Sequence, residues 1–338
     1  MDNSKDKMEI LVSGDNNYVM PIGVMLTSLF ENNKEDDISI HMMTNKEFTE
    51  KNQSSLRNIV ESRGGHIAFY FMDDDLFRDF PIGEDYQSQH IISMVAYYRL
   101  FAAEILPQEI DRIIYFDGDI IVRDSLRELW NTNMEGFPIA AVPDCENCTV
   151  IHYNRLKYPQ SLGYFNSGVL LINLQYWREH HVLKEFLQIA KEKRPVLRCH
   201  DQDIMNLLFR ENKIVLPLKY NMENCFLFCR EQVPLTYVFD EQIKEGQQHP
   251  VIVHFSACPK LWHKDSHHPY KAEFVYYRNM TEWKNMRERR HYRGRHRFYW
   301  ALVNFAIWIG WSHPSNNPDN FYVKAERMVF NDNIVPLR

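Results

Sequence analysis

Asp117-Gly118-Asp119 directly follows the apolar run Ile113–Phe116. In an extended segment residues two apart point the same way, so both carboxylates can face one cation. Gly118 puts no side chain between them and lets a phosphate approach the backbone closely. Oxygen ligands of this kind suit Mg2+ or Mn2+, for which a pyrophosphate is the natural partner. The plainer alternative is a polar turn after a buried strand. A second apolar run, Val251-Ile252-Val253, ends in His254. A lone histidine there is usually a hydrogen-bonded structural residue. As a third ligand, its nitrogen would shift the preference from Mg2+ towards Mn2+. The residues that follow, Phe255-Ser256-Ala257-Cys258-Pro259-Lys260, are mostly small and lead to a lysine, which suits a loop around a phosphate.

Three further groups could share such a site. Asp15 and Asn17, with Tyr18, follow the apolar run Met8–Val12 at Ser13-Gly14. They could read a base edge and offer a ring face, or simply cap the next helix. Asp201-Gln202-Asp203 stands before a short apolar-striped segment. It reads either as first-turn carboxylates on a helix dipole or as a carboxylate and carboxamide that position a sugar. Asn166-Ser167-Gly168 offers a small polar turn beside it.

The elements that must hold these residues alternate strand and helix. Strands are predicted at Met8–Val12, Ile38–Met43, His66–Phe71 and Ile113–Phe116, and helices at Tyr18–Phe30, Glu47–Ser62 and Ser93–Glu104. This order predicts a mostly parallel sheet covered on both faces by helices, with ligands beyond the carboxyl ends of its strands. The second half is less regular. Strands are expected at Phe165–Leu174 and Val251–Phe255, a helix at Tyr176–Ala190, and a short helix after Asp201–Asp203.

Composition bounds the reading. The chain has 338 residues, 45% hydrophobic and 25% charged, which is the make-up of a globular protein and excludes a coiled coil or a disordered chain. The net charge of −6 hides a basic belt, Lys284–Arg297, of local charge +6 on a remainder of −12. The belt runs into the aromatic stretch Phe298–Trp311, fourteen residues long and short of the ~18 that cross a membrane. Basic residues beside Trp, Tyr and Phe suit an anionic membrane surface, here 284–311. A helix packed on the body is the plainer reading, and nucleic acid is not expected as a partner. Six cysteines make no disulfide framework and suggest a reducing compartment. Cys145/Cys148 and Cys225/Cys229 have zinc-like spacing, but their flanks support only ordinary thiols. The amino-terminal residues show no secretory signal pattern, so a cytoplasmic protein is expected.

Taken together and in order, six stretches resemble the retaining glycosyltransferases of family 8. The nearest likeness is to the bacterial hexosyltransferases that build the lipopolysaccharide core. They are Ser13–Tyr18, Tyr97–Leu100, Ile114–Val122, Phe165–Leu174, Asp201–Asn206, and His254–Ser256 with Lys260 and Trp262-His263. The resemblance implies a GT-A fold, a Rossmann-like mixed sheet flanked by helices, with catalytic domain 7–276 and a helical basic and aromatic extension 277–338. It implies a UDP-hexose donor, galactose or glucose, and a saccharide or glycolipid acceptor at the inner face of a membrane. Asp117, Asp119 and His254 would hold Mn2+, with Mg2+ as the alternative. Ser13, Gly14, Asp15, Asn17 and Tyr18 would lie at the nucleotide. Arg99, Gly118, Ser167, Ala257 and Lys260 would line the rest of the donor. Asn166, Asp201 and Gln202 would surround the transferred sugar, with Gln202 nearest the anomeric carbon and Asp203 an alternative nucleophile. Ala257 stands where the family often has glycine, and Asp144–Leu162 matches nothing in it. Two rivals remain: a haloacid-dehalogenase-like phosphatase with Asp117 as nucleophile, and a non-catalytic nucleotide-sugar-binding protein.

Overall fold

The computed structural model describes residues 6–78, 80, 94–144, 150–228, 239–256, 258–266 and 268–292. It also describes residues 294, 298–299, 301–302, 305–306, 309 and 311. Among the described residues there are ten strands: β1 Met8–Ser13, β2 Ile38–Asn45, β3 His66–Met72, β4 Arg112–Phe116, β5 Ile120–Val122, β6 Ile139–Pro143, β7 Phe165–Asn173, β8 Ile214–Val215, β9 Met222–Glu223 and β10 Ile252–His254. Seven form one sheet in the order β3-β2-β1-β4-β7-β6-β8, and β5-β10-β9 form a second. Strands β1 to β4 are parallel, and β7 is antiparallel to both β4 and β6. Apolar side chains fill both faces of the large sheet, so β1, β4 and β7 are buried almost throughout.

Strand direction decides where the chemistry gathers. Val12 pairs with Phe116 across β1 and β4, so the carboxyl ends of these strands lie side by side. Phe116 also pairs with Val169, so antiparallel β7 brings its amino end, with Asn166–Gly168, to the same edge. Pro143 pairs with Phe165, which adds Asp144 to that edge. In the small sheet His254 pairs with Ile120 and so stands beside Asp119.

The helices largely follow the expected periods. Helix α1, Val19–Asn32, is buried from Val19 to Phe30. Helix α2, Glu50–Glu61, starts on the Thr49 hydroxyl, which accepts from Asn52 N at 3.3 Å. Three expectations change. The segment before β4 is a 3-10 helix over Met94–Phe101 that continues as Ala102–Ile105, and Ser93 lies outside the described residues. The single helix expected over Tyr176–Ala190 is two, α3 Leu174–Glu179 and α4 Val182–Lys193. Between them His181 adopts φ +51°, a left-handed conformation that no helix can run through. Asn173 ends β7 and caps α3, its Oδ1 accepting from Tyr176 N at 2.9 Å. Helix α5, His200–Phe209, carries Asp201-Gln202-Asp203 in its first turn rather than before it.

The compositional change at 277 falls inside helix α6, Lys271–Asn279. From there to Tyr292 the chain stays on the body. Glu282 accepts from Ser55 Oγ at 2.9 Å, and Asp265 accepts from His291 N at 2.8 Å and Tyr292 N at 3.0 Å. Trp283 packs so tightly on α1 that a Cβ at Gly23 would lie 2.2 Å from its ring.

Candidate active site

Asp117 leaves β4 with its backbone N–H donating to Gly168 O at 2.8 Å, which ties it to β7. Its Oδ1 accepts from Arg99 Nη2 and from the Tyr115 hydroxyl, each at 2.8 Å. Asp119, almost fully buried, accepts from Lys260 Nζ at 2.6 Å. His254 Nε2 stands 3.5 Å from Asp119 Oδ1 and 3.8 Å from Asp117 Oδ2. Burial alone would raise the Asp119 carboxyl, but the Lys260 ammonium above all opposes it, and the group is held well below the usual carboxylate range. Burial likewise pulls the Lys260 ammonium down, and Asp119 more than reverses this. Lys260 also donates to Phe255 O.

These groups fit a divalent cation. The three ligand atoms lie within 4.8 Å of one another, a span one ion can bridge, and the His254 contacts are longer than hydrogen bonds. Asp119 stays ionised in a buried place, which ligation requires. Gly168 keeps the space open: a Cβ there would fall 2.4 Å from His254 Cε1 and 2.7 Å from Asp117 Oδ2. A second cluster, His152, Cys199 and Asp203, has metal-like proximity, but the Arg155 guanidinium already neutralises it.

Next to the carboxylates lie the residues expected around a sugar. Gln202 Oε1 accepts from Ser167 N at 2.9 Å, and its Nε2 donates to Asp144 Oδ2 at 2.9 Å. Asn166 Nδ2 donates to the same Asp144 oxygen at 3.1 Å. Asp201 is buried, and burial, opposed by Arg99 and assisted by Asp117, raises its carboxyl to about 6. Arg99 Nε and Asp201 Oδ2 are 3.3 Å apart but not aligned for a hydrogen bond. The buried Arg99 guanidinium lies 3.9 Å over the Tyr115 ring and donates to Ser167 O at 2.6 Å. It therefore braces Asp117 and β7 as well as lining the cleft.

Asp203 does not join the others. Fully buried, it accepts from Arg155 Nη2 at 2.9 Å, the Tyr164 hydroxyl at 2.8 Å, Arg198 N at 2.6 Å and Cys199 N at 2.9 Å, and pairs with Arg155 Nη1 at 2.5 Å. A carboxylate whose oxygens are all engaged offers no free lone pair to a sugar, so this arrangement gives it a bracing part rather than a nucleophile's.

A cleft of about 440 Å3 opens at Asp117 and Asp119, lined also by Ser13, Gly14, Asp15, Asn17, Tyr18, Arg99 and Gly118 among others. Asp15 does not cap α1, whose N-cap position is Tyr18 with no side-chain cap bond. The Asp15 Oδ1 accepts from Asn17 N at 2.8 Å in the turn before α1, and the residue faces the cleft. The Tyr18 ring meets Trp262 edge-on at 5.7 Å between centroids, and burial together with Asp119 raises its hydroxyl strongly. Ala257, Cys145, Cys148 and Cys229 lie outside the described residues. Sequence reasoning missed Tyr115, Asp144 and Asn221. Tyr115 sits two residues before Asp117, and Asp144 ends the apolar run Ile139–Pro143, so both had a signal. Asn221, 3.0 Å from His254 Nδ1, had none.

Residues 9–266 match the family model described as glycosyl transferase family 8. The chain belongs to this family. It is 27% identical to general stress protein A of Bacillus subtilis (strain 168) over 286 residues, 82% of this chain and 96% of that one. It is 26% identical to a lipopolysaccharide 1,2-glucosyltransferase of Escherichia coli (strain K12) over 288 residues, 84% of this chain and 81% of that one. Among solved structures it is similar to the galactosyltransferase LgtC in complex with donor and acceptor sugar analogues, with a TM-score of 0.73 and 24% identity. That match covers 82% of this chain and 99% of LgtC. The fold of this family 8 member is GT-A, and membership decides against the phosphatase reading of Asp117.

Proposed function

We propose that this family 8 chain is a Mn2+-dependent, retaining hexosyltransferase. It moves galactose or glucose from a UDP-sugar to a saccharide acceptor, lipopolysaccharide core or another glycolipid, and forms an α-linkage. The observation that carries the reading is the convergence of Asp117, Asp119 and His254 at the cleft, beside Gln202, Asp201 and Asn166. When bound, a divalent cation supplies Lewis-acid stabilisation for the charge that grows on a departing diphosphate. Tyr115 and Arg99 fix the Asp117 carboxylate for ligation, and Lys260 balances Asp119. Asp15, Asn17 and Tyr18, which line the same cleft, would receive the uracil ring, with Ser13 and Gly14 beneath the ribose. Gly118 is needed for packing, since a Cβ there would fall 2.7 Å from Ile22 and 3.2 Å from Tyr18; its backbone and Ala257 would lie beside the diphosphate.

The Gln202 carboxamide is held at both ends, by Ser167 N and by Asp144, so it is oriented in advance. A carboxamide oxygen is a poor nucleophile, and Asp203 is engaged elsewhere. Both points favour attack by the acceptor on the face that UDP leaves, a UDP oxygen taking the acceptor proton. In this reading Gln202 and Asp201 position the sugar and stabilise positive charge at its reacting carbon. Following the first hexose released from UDP-galactose or UDP-glucose by 1H NMR tests retention. The α-anomer should appear before mutarotation, and initial β-anomer would refute it.

The acceptor side suggests where the protein works. Phe298, Leu302, Phe305 and Ile309 recur at helical spacing and are exposed, as are Tyr299 and Trp311. With the basic belt before them they suit peripheral docking on an anionic membrane at its cytoplasmic face. Among the described residues no helix is long and apolar enough to cross a membrane.

A further inference from the structure

Asn221 is fully buried, between the turn Leu218–Tyr220 and β9, and its side-chain amide bridges two groups of the site. Its Nδ2 donates to Asn166 Oδ1 at 2.8 Å, and its Oδ1 lies 3.0 Å from His254 Nδ1. An amide's orientation and a histidine's tautomer follow from the hydrogen bonds around them. Here the network has a fixed end. Gly168 N–H meets the Asn166 side chain at 2.8 Å, and a backbone N–H can only donate, so the atom it meets is the oxygen. The Asn166 nitrogen accordingly faces the Asp144 carboxylate. The Asn221 atom that meets the Asn166 oxygen must then be its nitrogen, which turns its own oxygen to His254. An acceptor at that point keeps the imidazole proton on Nδ1 and leaves the Nε2 lone pair aimed at Asp117 and Asp119.

We infer that Asn221 is a positioning residue of the metal site, fixing the ring orientation and tautomer of His254. Metal-bound histidines commonly need such an acceptor on their second nitrogen. The inference rests on the reading of Asp117, Asp119 and His254 as metal ligands. Through Asn166 and Asp144 the same chain of hydrogen bonds reaches Gln202, so one buried amide links His254 to the residues read as surrounding the sugar.

The test is a Mn2+ titration followed by electron paramagnetic resonance with saturating UDP, on the wild type, Asn221→Leu, His254→Ala and the double variant. Asn221→Leu should weaken Mn2+ binding about 10- to 100-fold. In the His254→Ala background it should cause no further weakening, because a residue that acts through His254 has nothing left to act on. An unchanged affinity for Asn221→Leu would overturn the inference. So would a loss repeated in full in the His254→Ala background, which would mark general damage to the site. Should the leucine variant not fold, Asn221→Thr and Asn221→Val have the same shape and differ by one hydroxyl. Threonine, able to accept from His254, should bind Mn2+ more tightly than valine, and equal affinities would contradict the proposal. A wild type that binds no Mn2+ would instead overturn the metal reading itself.

Discussion

Gly168 concentrates the residue-scale argument, since His254, Asp117 and Asn166 all approach it more closely than a β-carbon would allow. Gly168→Ala should therefore displace one of the groups proposed to hold the metal. At least tenfold lower Mn2+ affinity is expected, with a loss of about 1–3 kcal/mol of stability from overpacking, both readable from one titration and one denaturation curve. Asp203 makes the opposite case, a carboxylate whose work is structural. Breaking its buried pair with Arg155 by Asp203→Asn should cost about 3–5 kcal/mol. Burial tends to raise the Asp203 carboxyl, but Arg155 and the backbone N–H groups of Arg198 and Cys199 more than offset this, so its folded pKa is lowered. The stability it contributes is thus present above its unfolded value of about 3.9 and is lost as pH falls through the lower folded value. Acid denaturation of the wild type should steepen in that range, and Asp203→Asn should lose that steepening; an unchanged acid limb would contradict the account. The cluster of Asp117, Asp119 and His254 could be anticipated because an apolar run leads into Asp117-Gly118-Asp119 and another ends at His254. The different parts of Asp201 and Asp203 could not, because first-turn residues two apart on a helix face different neighbours, and only packing says which.

At the scale of elements, the site exists because the ends of β1, β4, β6, β7 and β10 meet. The apolar runs behind β1, β2, β3 and β4 could be read from the sequence, and their parallel order followed from the helices between them. The antiparallel course of β7 could not, since Phe165–Asn173 is buried on both faces and its run carries no direction. That direction is what puts Asn166–Gly168 beside Asp117 rather than at the far edge. Of the second sheet only β10 was legible, within the expected strand Val251–Phe255, while β5 and β9, three and two residues long, escaped the sequence. The helix break at His181 was invisible because apolar periodicity continues across it. Trp283 shows how the chain beyond α6 is bound to the body, its ring set against Gly23 on α1. Trp283→Ala should lower stability by about 2–3 kcal/mol, less than for a fully buried tryptophan. A melting temperature equal to wild type would mean that this segment is not part of the folding unit.

At the scale of the molecule, an acidic body carries a basic belt that leads into an exposed aromatic stripe. Each basic residue near an anionic surface contributes about 1 kcal/mol, an attraction that salt screens over a Debye length of about 10 Å at 0.1 M. Binding to phosphatidylglycerol-rich liposomes should therefore be strong at low salt and fall severalfold by 0.5 M, and Phe305→Ser with Trp311→Ser should weaken it at every salt concentration. Binding that ignores salt would remove the electrostatic part. Composition made the belt legible, but how it meets the body was not, because the Asp265 and Glu288 contacts that hold it follow from the fold. The central claim is that UDP leaves a hexose at Asp117, Asp119 and His254. Its most direct test is UDP release from a panel of UDP-sugars without acceptor, with Mn2+ and with a chelator, for the wild type and Asp119→Asn. The account predicts slow release from one UDP-hexose that the chelator abolishes and Asp119→Asn lowers at least a hundredfold, about 2.7 kcal/mol of barrier. Release that continues unchanged in chelator, or in Asp119→Asn, would contradict it.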